Sequence, residues 1–250
     1  MLIPVAPAQR ARLRPLFDGF PGLHGIIDSV LDGVLGAAWA DNAANPRVAR
    51  LELDFNLMAG DPTAPAAAEA VRALPPGETL AIPESWEDLL VNVRDAVQPY
   101  DRFDFGAPER WDRARLTSLR GGLPDGWAIE RITAETVAAF AALADSLVCN
   151  FESHERFLAE GAGFGIRHEG RFVAGCSSFA ISSRSLEFEI QTHPDYQRRG
   201  LALATGARMI EHCLDNGLRP CWDAAHEGSA LLAERLGFGE RRPYTAYLLG

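Results

Sequence analysis

Lysine is absent from the 250-residue sequence, and all 24 of its Lys-plus-Arg positions are arginine. The absence excludes a lysine Schiff base to pyridoxal phosphate, a P-loop lysine on a nucleotide phosphate and the strand lysine of protein kinases, because each needs an ε-ammonium. Cysteine is scarce. Cys149, Cys176, Cys213 and Cys221 lie far apart with no Cys-x-x-Cys pair, so neither a zinc site nor a redox dithiol is indicated, and buried free thiols are expected. Long apolar runs are missing too: the most apolar early segment, 25–40, is interrupted by Asp28 and Asp32, and no membrane span is expected. Near Met1 the chain carries Pro4, Pro7 and arginines at 10, 12 and 14 without an apolar stretch after a basic start, which reads as a cytoplasmic protein. Positive charge is also in deficit. A net charge of -10 argues against a nucleic-acid partner and suits a cationic or amine-bearing small substrate.

With 47% hydrophobic and 23% charged residues, the chain can bury one large or two small cores without staples. A polar, Gly-rich junction at 119–126 divides it, and the boundary is placed there: an N-terminal α/β domain over 1–122 and a second domain over 123–250. In the first half, 26–35 fits a helix, 48–58 alternates as one strand, 64–74 is an Ala-rich helix, 79–82 a short strand, and Ser85 caps a helix to about Val97. In the second, Thr133 opens a helix to about Val148. Strands 163–168 and 171–181 form a hairpin at Glu169-Gly170, followed by a strand over 186–192. Leu203, Ala207, Ile210 and Leu214 then mark one face of a helix over 201–215, with a short strand at 220–224, a helix at 229–236 and a final strand pair through Phe238 and 244–249. Both halves run strand, turn, helix, strand, helix from near Leu51 and near Leu186. Internal duplication is one reading, and the commonness of αβ units in mixed domains is the other.

The segment Gln197-Arg198-Arg199-Gly200-Leu201-Ala202 joins a strand to the start of an amphipathic helix. A tight turn there gathers unpaired backbone N–H groups at the positive end of a helix dipole, an anion site suited to a pyrophosphate. Position by position this segment resembles the acetyl-CoA signature of the GNAT superfamily of N-acetyltransferases, Gln/Arg-x-x-Gly-x-Gly/Ala. The helix ending Leu236-Gly237-Phe238 is similar to the one that follows the fifth strand in that family. Thr192-His193-Pro194, Trp222-Asp223-Ala224-Ala225 and Tyr244-x-x-Tyr247 look like a bacterial branch with an added N-terminal half. The resemblance covers about 127–250 and is diffuse before that, where 1–122 would be a smaller α/β domain or a degenerate GNAT-like half.

The resemblance implies a GNAT-like mixed α/β sheet flanked by helices, with acetyl-CoA as acyl donor. Ile190, Gln191 and Thr192 would pair with the pantetheine arm, Gln197, Arg198, Arg199, Gly200, Leu201 and Ala202 would hold the pyrophosphate, and His226 and Ser229 would face the cofactor. His226 stands where the family often has asparagine, and Ser229 has helix capping as its simpler role. The acetyl group would pass directly to a primary amine of a small acceptor. Since alkyl amines are mostly protonated near neutral pH, some group must take a proton. Glu187 and Glu189, two apart on one strand, share a face and are the first choice as base; a solvated outer face is the plain alternative. His193, beside Pro194, fits packing or capping better. Many relatives protonate the leaving thiolate with a tyrosine four residues before the Leu-Gly-Phe glycine, where this chain has Ala233. Tyr244 or, preferred, Tyr247 on the last strand would substitute, with a plain core role as the alternative. Trp222 and Asp223 read as a packed indole and a turn aspartate. A non-catalytic acyl-CoA-binding protein is the rival function, and a Rossmann domain a weaker one, since no Gly-x-Gly-x-x-Gly opens a helix. Acceptor identity and oligomeric state stay open, a homodimer being one arrangement.

Overall fold

In the computed structural model, which describes residues 1–250, Ile3–Pro4 (β1) pairs antiparallel with Ala37–Ala40 (β2), after a 3-10 segment at Pro7–Phe17 and the helix His24–Leu31 (α1). Asp28 and Asp32, which interrupt the apolar run, are held by Arg14 at 2.6 and 3.0 Å, so the helix buries nearly its whole surface without stranding charge. The segment read as a single strand over 48–58 folds back on itself. Asp54 takes φ 60°, where Asp is one of the few tolerated residues, and makes a hairpin of Val48–Leu53 (β3) and Phe55–Gly60 (β4). Pro65–Ala73 (α2) then leads to Thr79–Ala81 (β5), parallel to β4, and Glu87–Val93 (α3) to Val97–Phe105 (β6), a strand the sequence reading passed over. The expected Ser85 cap is not formed: a 3-10 turn at Glu84–Trp86 precedes α3, and Trp86 is its N-cap.

Contacts divide the chain into Met1–Asp104 with Arg242–Gly250, and Phe105–Arg241. This division differs from the expected one at 122: Gly121 and Gly122 end a helix, Arg113–Gly121 (α4), that packs on the long helix of the second unit. Thr117 and Arg113 bond Glu211 and Asp215 at 3.3 and 2.8 Å. The final strand, Arg241–Leu249, is one strand instead of a pair and lies between β5 and β6 in the first unit. Its Tyr247 and Leu249 join Val48, Met58, Leu80 and Trp86 in that unit's core.

The second unit holds Ile129–Arg131 (β7), Val137–Ala141 (α5), His154–Glu160 (α6), Gly163–His168 (β8), Arg171–Ile181 (β9), Ser185–Thr192 (β10), Leu201–Asp215 (α7), Arg219–Ala224 (β11) and Glu227–Leu236 (α8). Its strand order is β11-β10-β9-β8-β7, with β10 and β11 parallel and the rest antiparallel. The helix expected over 133–148 is only α5 plus a 3-10 turn at Asp145–Leu147. Phe140 of α5 lies over two strand glycines: a Cβ at Gly175 would sit 2.4 Å from Phe140 Cε2, and one at Gly165 3.3 Å from its Cδ2. Gly175→Ala is expected to cost about 1–3 kcal/mol by overpacking, read as a lower urea midpoint, with Phe140→Leu in the same chain recovering part of it. No helix is long and apolar enough to cross a membrane.

Burial lowers the His212 pKa below its usual value, helped by Arg131 and Arg208 and opposed by Asp215. The folded state therefore takes up this proton less readily than the unfolded chain. Stability attached to the neutral ring is present above the unfolded pKa and falls as pH drops through it toward the folded one. His212→Gln should lose this dependence, so the gap in thermal midpoint between the two proteins should shift in the variant's favour as pH falls from 7 to 5.

Candidate cofactor cleft

Parallel pairing of β10 with β11 covers only Ser185↔Arg219, Leu186↔Pro220 and Glu187↔Cys221, after which β10 runs on to Thr192 paired with β9 on one side but no longer with β11 on the other. A parallel strand that loses its partner exposes backbone donors and acceptors that a bound chain can satisfy. A cleft of about 550 Å³ opens there, between the end of β10, the start of α7 and the start of α8. Every residue assigned to the cofactor from the sequence lines it except Arg199. That guanidinium turns back to donate to the Asp195 carbonyl at 3.0 Å and lies 5.1 Å from the Tyr196 ring centre.

The turn into α7 is built from two left-handed residues, Arg198 at φ 61° and Gly200 at φ 80°. Gly200 is the N-cap and offers no side chain, so the amides of the first turn have no capping partner; the first bond of the helix is Ala204 N–H to the Gly200 carbonyl at 3.0 Å. A Cβ on Gly200 would meet no protein atom within 4 Å. The glycine therefore answers to the backbone angle and leaves the cleft side open. Nearby, the Thr192 hydroxyl is buried with no partner, an orphan polar atom on the cleft wall. Gln197 Nε2 reaches back to the Thr192 carbonyl at 3.4 Å.

On the far wall His226 is the N-cap of α8, its Nδ1 accepting from Ser229 N–H at 3.2 Å. With Nδ1 an acceptor, a neutral ring carries its proton on Nε2 and keeps a donor for a ligand. Capping is therefore done by His226, while Ser229 Oγ accepts from Trp222 Nε1 at 3.1 Å. Trp222 is a packed indole, against Phe188 and Phe238 at 5.7 and 5.5 Å. His193 caps the short turn Pro194–Tyr196, Nδ1 accepting from Asp195 N–H at 3.4 Å.

Leu186, Phe188 and Ile190 pack toward Met209 and Cys213 of α7, so Glu187, Glu189 and Gln191 occupy the opposite face of β10. Glu187 is buried. Glu189 Oε1 accepts from Ser146 Oγ at 2.8 Å and from Gln191 Nε2 at 2.7 Å, a polar cluster joining the turn after α5 to the strand. Nothing in the local sequence singles out Ser146 as Glu189's partner. Tyr247 is elsewhere: it sits in the core of the first unit, donates to Glu87 at 2.7 Å, and burial followed by that bond pushes its phenol pKa up. Tyr244 lies in the same unit, its hydroxyl accepting from Arg102 Nε at 3.2 Å. Ala233 is fully buried on α8. Three cysteines are buried as expected, and burial pushes the Cys176 and Cys213 thiols up, but Cys149 is exposed.

A family described as GNAT acetyltransferase matches residues 14–247. A Bacillus subtilis (strain 168) protein named uncharacterized N-acetyltransferase YdfB is 30% identical over 131 residues, 51% of this chain and 50% of that protein, so the match spans about half the relative's length. The crystal structure of a GCN5-related N-acetyltransferase-like protein from Streptococcus suis 89/1591 is similar at a TM-score of 0.83 and 30% identity, covering 98% of this chain and all of that one. A tandem GNAT protein from the clavulanic acid biosynthesis pathway, 12% identical, shares the fold at a TM-score of 0.60 over 99% and 96% of the two chains.

Proposed function

The chain belongs to the GNAT acetyltransferase family, and from that premise we propose that its second unit binds acetyl-CoA in the cleft beside β10 and acetylates a primary amine of a small acceptor. The observation that carries this reading is the uncapped first turn of α7, opening on a cleft whose other wall is the end of β10, beyond its pairing with β11. Amides of that turn suit a diphosphate, Gly200 leaves room for it, and Arg198 adds charge. The backbone of Ile190 to Thr192 offers a strand edge to an amide-bearing arm, the Thr192 hydroxyl an unmet hydrogen bond, and His226 Nε2 a donor from the far wall.

Acetyl-CoA would supply an activated acyl thioester: the amine lone pair would add to its carbonyl carbon, forming the C–N bond and moving the π pair onto oxygen, and the C–S bond would then break with its electron pair leaving on sulfur. A β10 main-chain N–H would steady the developing oxyanion. Glu189, held by Ser146 and Gln191 on the acceptor face, takes the amine's proton directly or through water and before that attracts the ammonium form. Glu187 is the deeper carboxylate of the same face and stays in the proposal as its partner. Tyr247 is given no part, because its hydroxyl is committed to Glu87. A thiolate leaves without an acid's help, so the alanine at 233 is no obstacle.

Purified protein incubated with acetyl-CoA and a panel of small amines tests the reading. Thiol release together with the mass gain of one acetyl group on an amine is the expected result. Release matched only by O-acetylated products, or by hydrolysis, would remove the amine acceptor.

A further inference from the structure

The first unit repeats the architecture that makes the cleft in the second. β4 and β5 are parallel and joined by α2, as β10 and β11 are joined by α7. An antiparallel neighbour precedes each pair, β3 beside β4 and β9 beside β10. Pairing of β4 with β5 stops at Asn56↔Leu80 and Leu57↔Ala81, and β4 runs on to Gly60 just as β10 runs on to Thr192. Each second strand is followed by another helix, and the N-cap residues of those helices correspond: Trp86 for α3 and His226 for α8.

What fills the two gaps differs. In the second unit the space between strand end and helix start is the cleft, walled by Thr192 and His226. In the first the Trp86 indole, fully buried, spans from the start of α3 to the last residue of β4, and its Nε1–H bonds the Gly60 carbonyl at 3.0 Å. A strand carbonyl that a bound arm could use is satisfied by the protein's own side chain. The turns differ in the same sense. Between β4 and α2 the chain reads Asp61-Pro62-Thr63-Ala64-Pro65, and both prolines lack an N–H. Asp61 Oδ1 takes the Thr63 N–H at 2.8 Å and hydroxyl at 2.7 Å, and its other oxygen takes the Arg47 guanidinium. The bonds from Thr63 and Arg47 lower that carboxyl pKa to about 2, so a resident anion stands where the second unit presents bare amides.

We propose that the first unit is a second copy of the cofactor scaffold closed from within, with Trp86 in the wedge and Asp61 at the anion turn, so that each chain holds a single acyl-CoA. The single-site statement rests on the acetyl-CoA reading of the second unit; the closed wedge does not. Two arms keep them apart. In the first, the full chain is titrated with CoA by calorimetry and native mass spectrometry. One CoA per chain is expected, with affinity falling at least ~100-fold in Gly200→Glu. Two per chain, or one still bound in that variant, overturns the proposal. No binding at all by the natural chain overturns the acetyl-CoA reading instead, and the second arm still decides the wedge.

In that second arm Trp86→Ala and the milder Trp86→Leu are melted or refolded with and without indole as the probe. Indole is expected to raise the thermal midpoint, or the folded yield, of at least one variant and to leave the natural chain unmoved. Indifference of both variants to indole overturns the closed wedge.

Discussion

Gly200→Glu is expected to raise the KM for acetyl-CoA and the Kd for CoA at least ~100-fold, about 3 kcal/mol of lost binding. Two costs arise. A side chain at φ 80° strains the turn by roughly 1–2 kcal/mol, which is a cost to folding, and a carboxylate then sits among the amides that would meet a diphosphate, which is the cost to binding. Because a Cβ there meets no protein atom, the substitution leaves core packing alone and the folded yield should hold. Gly200→Asn separates the two costs, since asparagine tolerates the left-handed region and carries no charge; a loss under ~10-fold is expected for it. Equilibrium dialysis of CoA with each variant gives the comparison. Natural affinity in both would take the diphosphate away from this turn.

How much of this was legible beforehand depended on whether the deciding contacts were local. Helix α7 and the β8–β9 hairpin matched their expected ranges, because a repeating apolar face and a Glu169-Gly170 turn are written in adjacent residues. The same holds for the cleft: its lining residues come from two short segments, each carrying its own turn chemistry. Asp54 defeated the strand reading over 48–58, since one left-handed aspartate inside alternating apolar residues leaves no mark in their periodicity. Strand β6 was missed because Pro99, Tyr100, Asp101 and Arg102 break the apolar alternation in a strand with no buried residue before Arg102. The surroundings of Tyr247 were hidden for a non-local reason: its strand closes the first unit beside β5, and its hydroxyl partner, Glu87, comes from far back in the chain. Trp86 acquired meaning only when Gly60 appeared opposite its N–H.

The same non-local logic sets the second large effect. Glu189→Gln keeps the size of the side chain and its acceptor oxygen for Ser146 but removes the negative charge and the proton-accepting capacity. A fall in kcat of about 100-fold is expected, the lower end of what a positioned base contributes. The KM for acetyl-CoA should change little, because Glu189 lies on the face of β10 turned away from α7 and does not line the cleft. In the natural enzyme kcat should fall toward acid pH as the accepting carboxylate is protonated; in Glu189→Gln that limb should flatten. Ser146→Ala, which removes one of two donors to the same oxygen, should give a smaller loss and keep the limb. Glu187→Gln provides the contrast. If its kcat falls as far while Glu189→Gln stays near the natural rate, the buried carboxylate is the base and Glu189 only grips the ammonium, an outcome that a rise in acceptor KM in Glu189→Gln would mark.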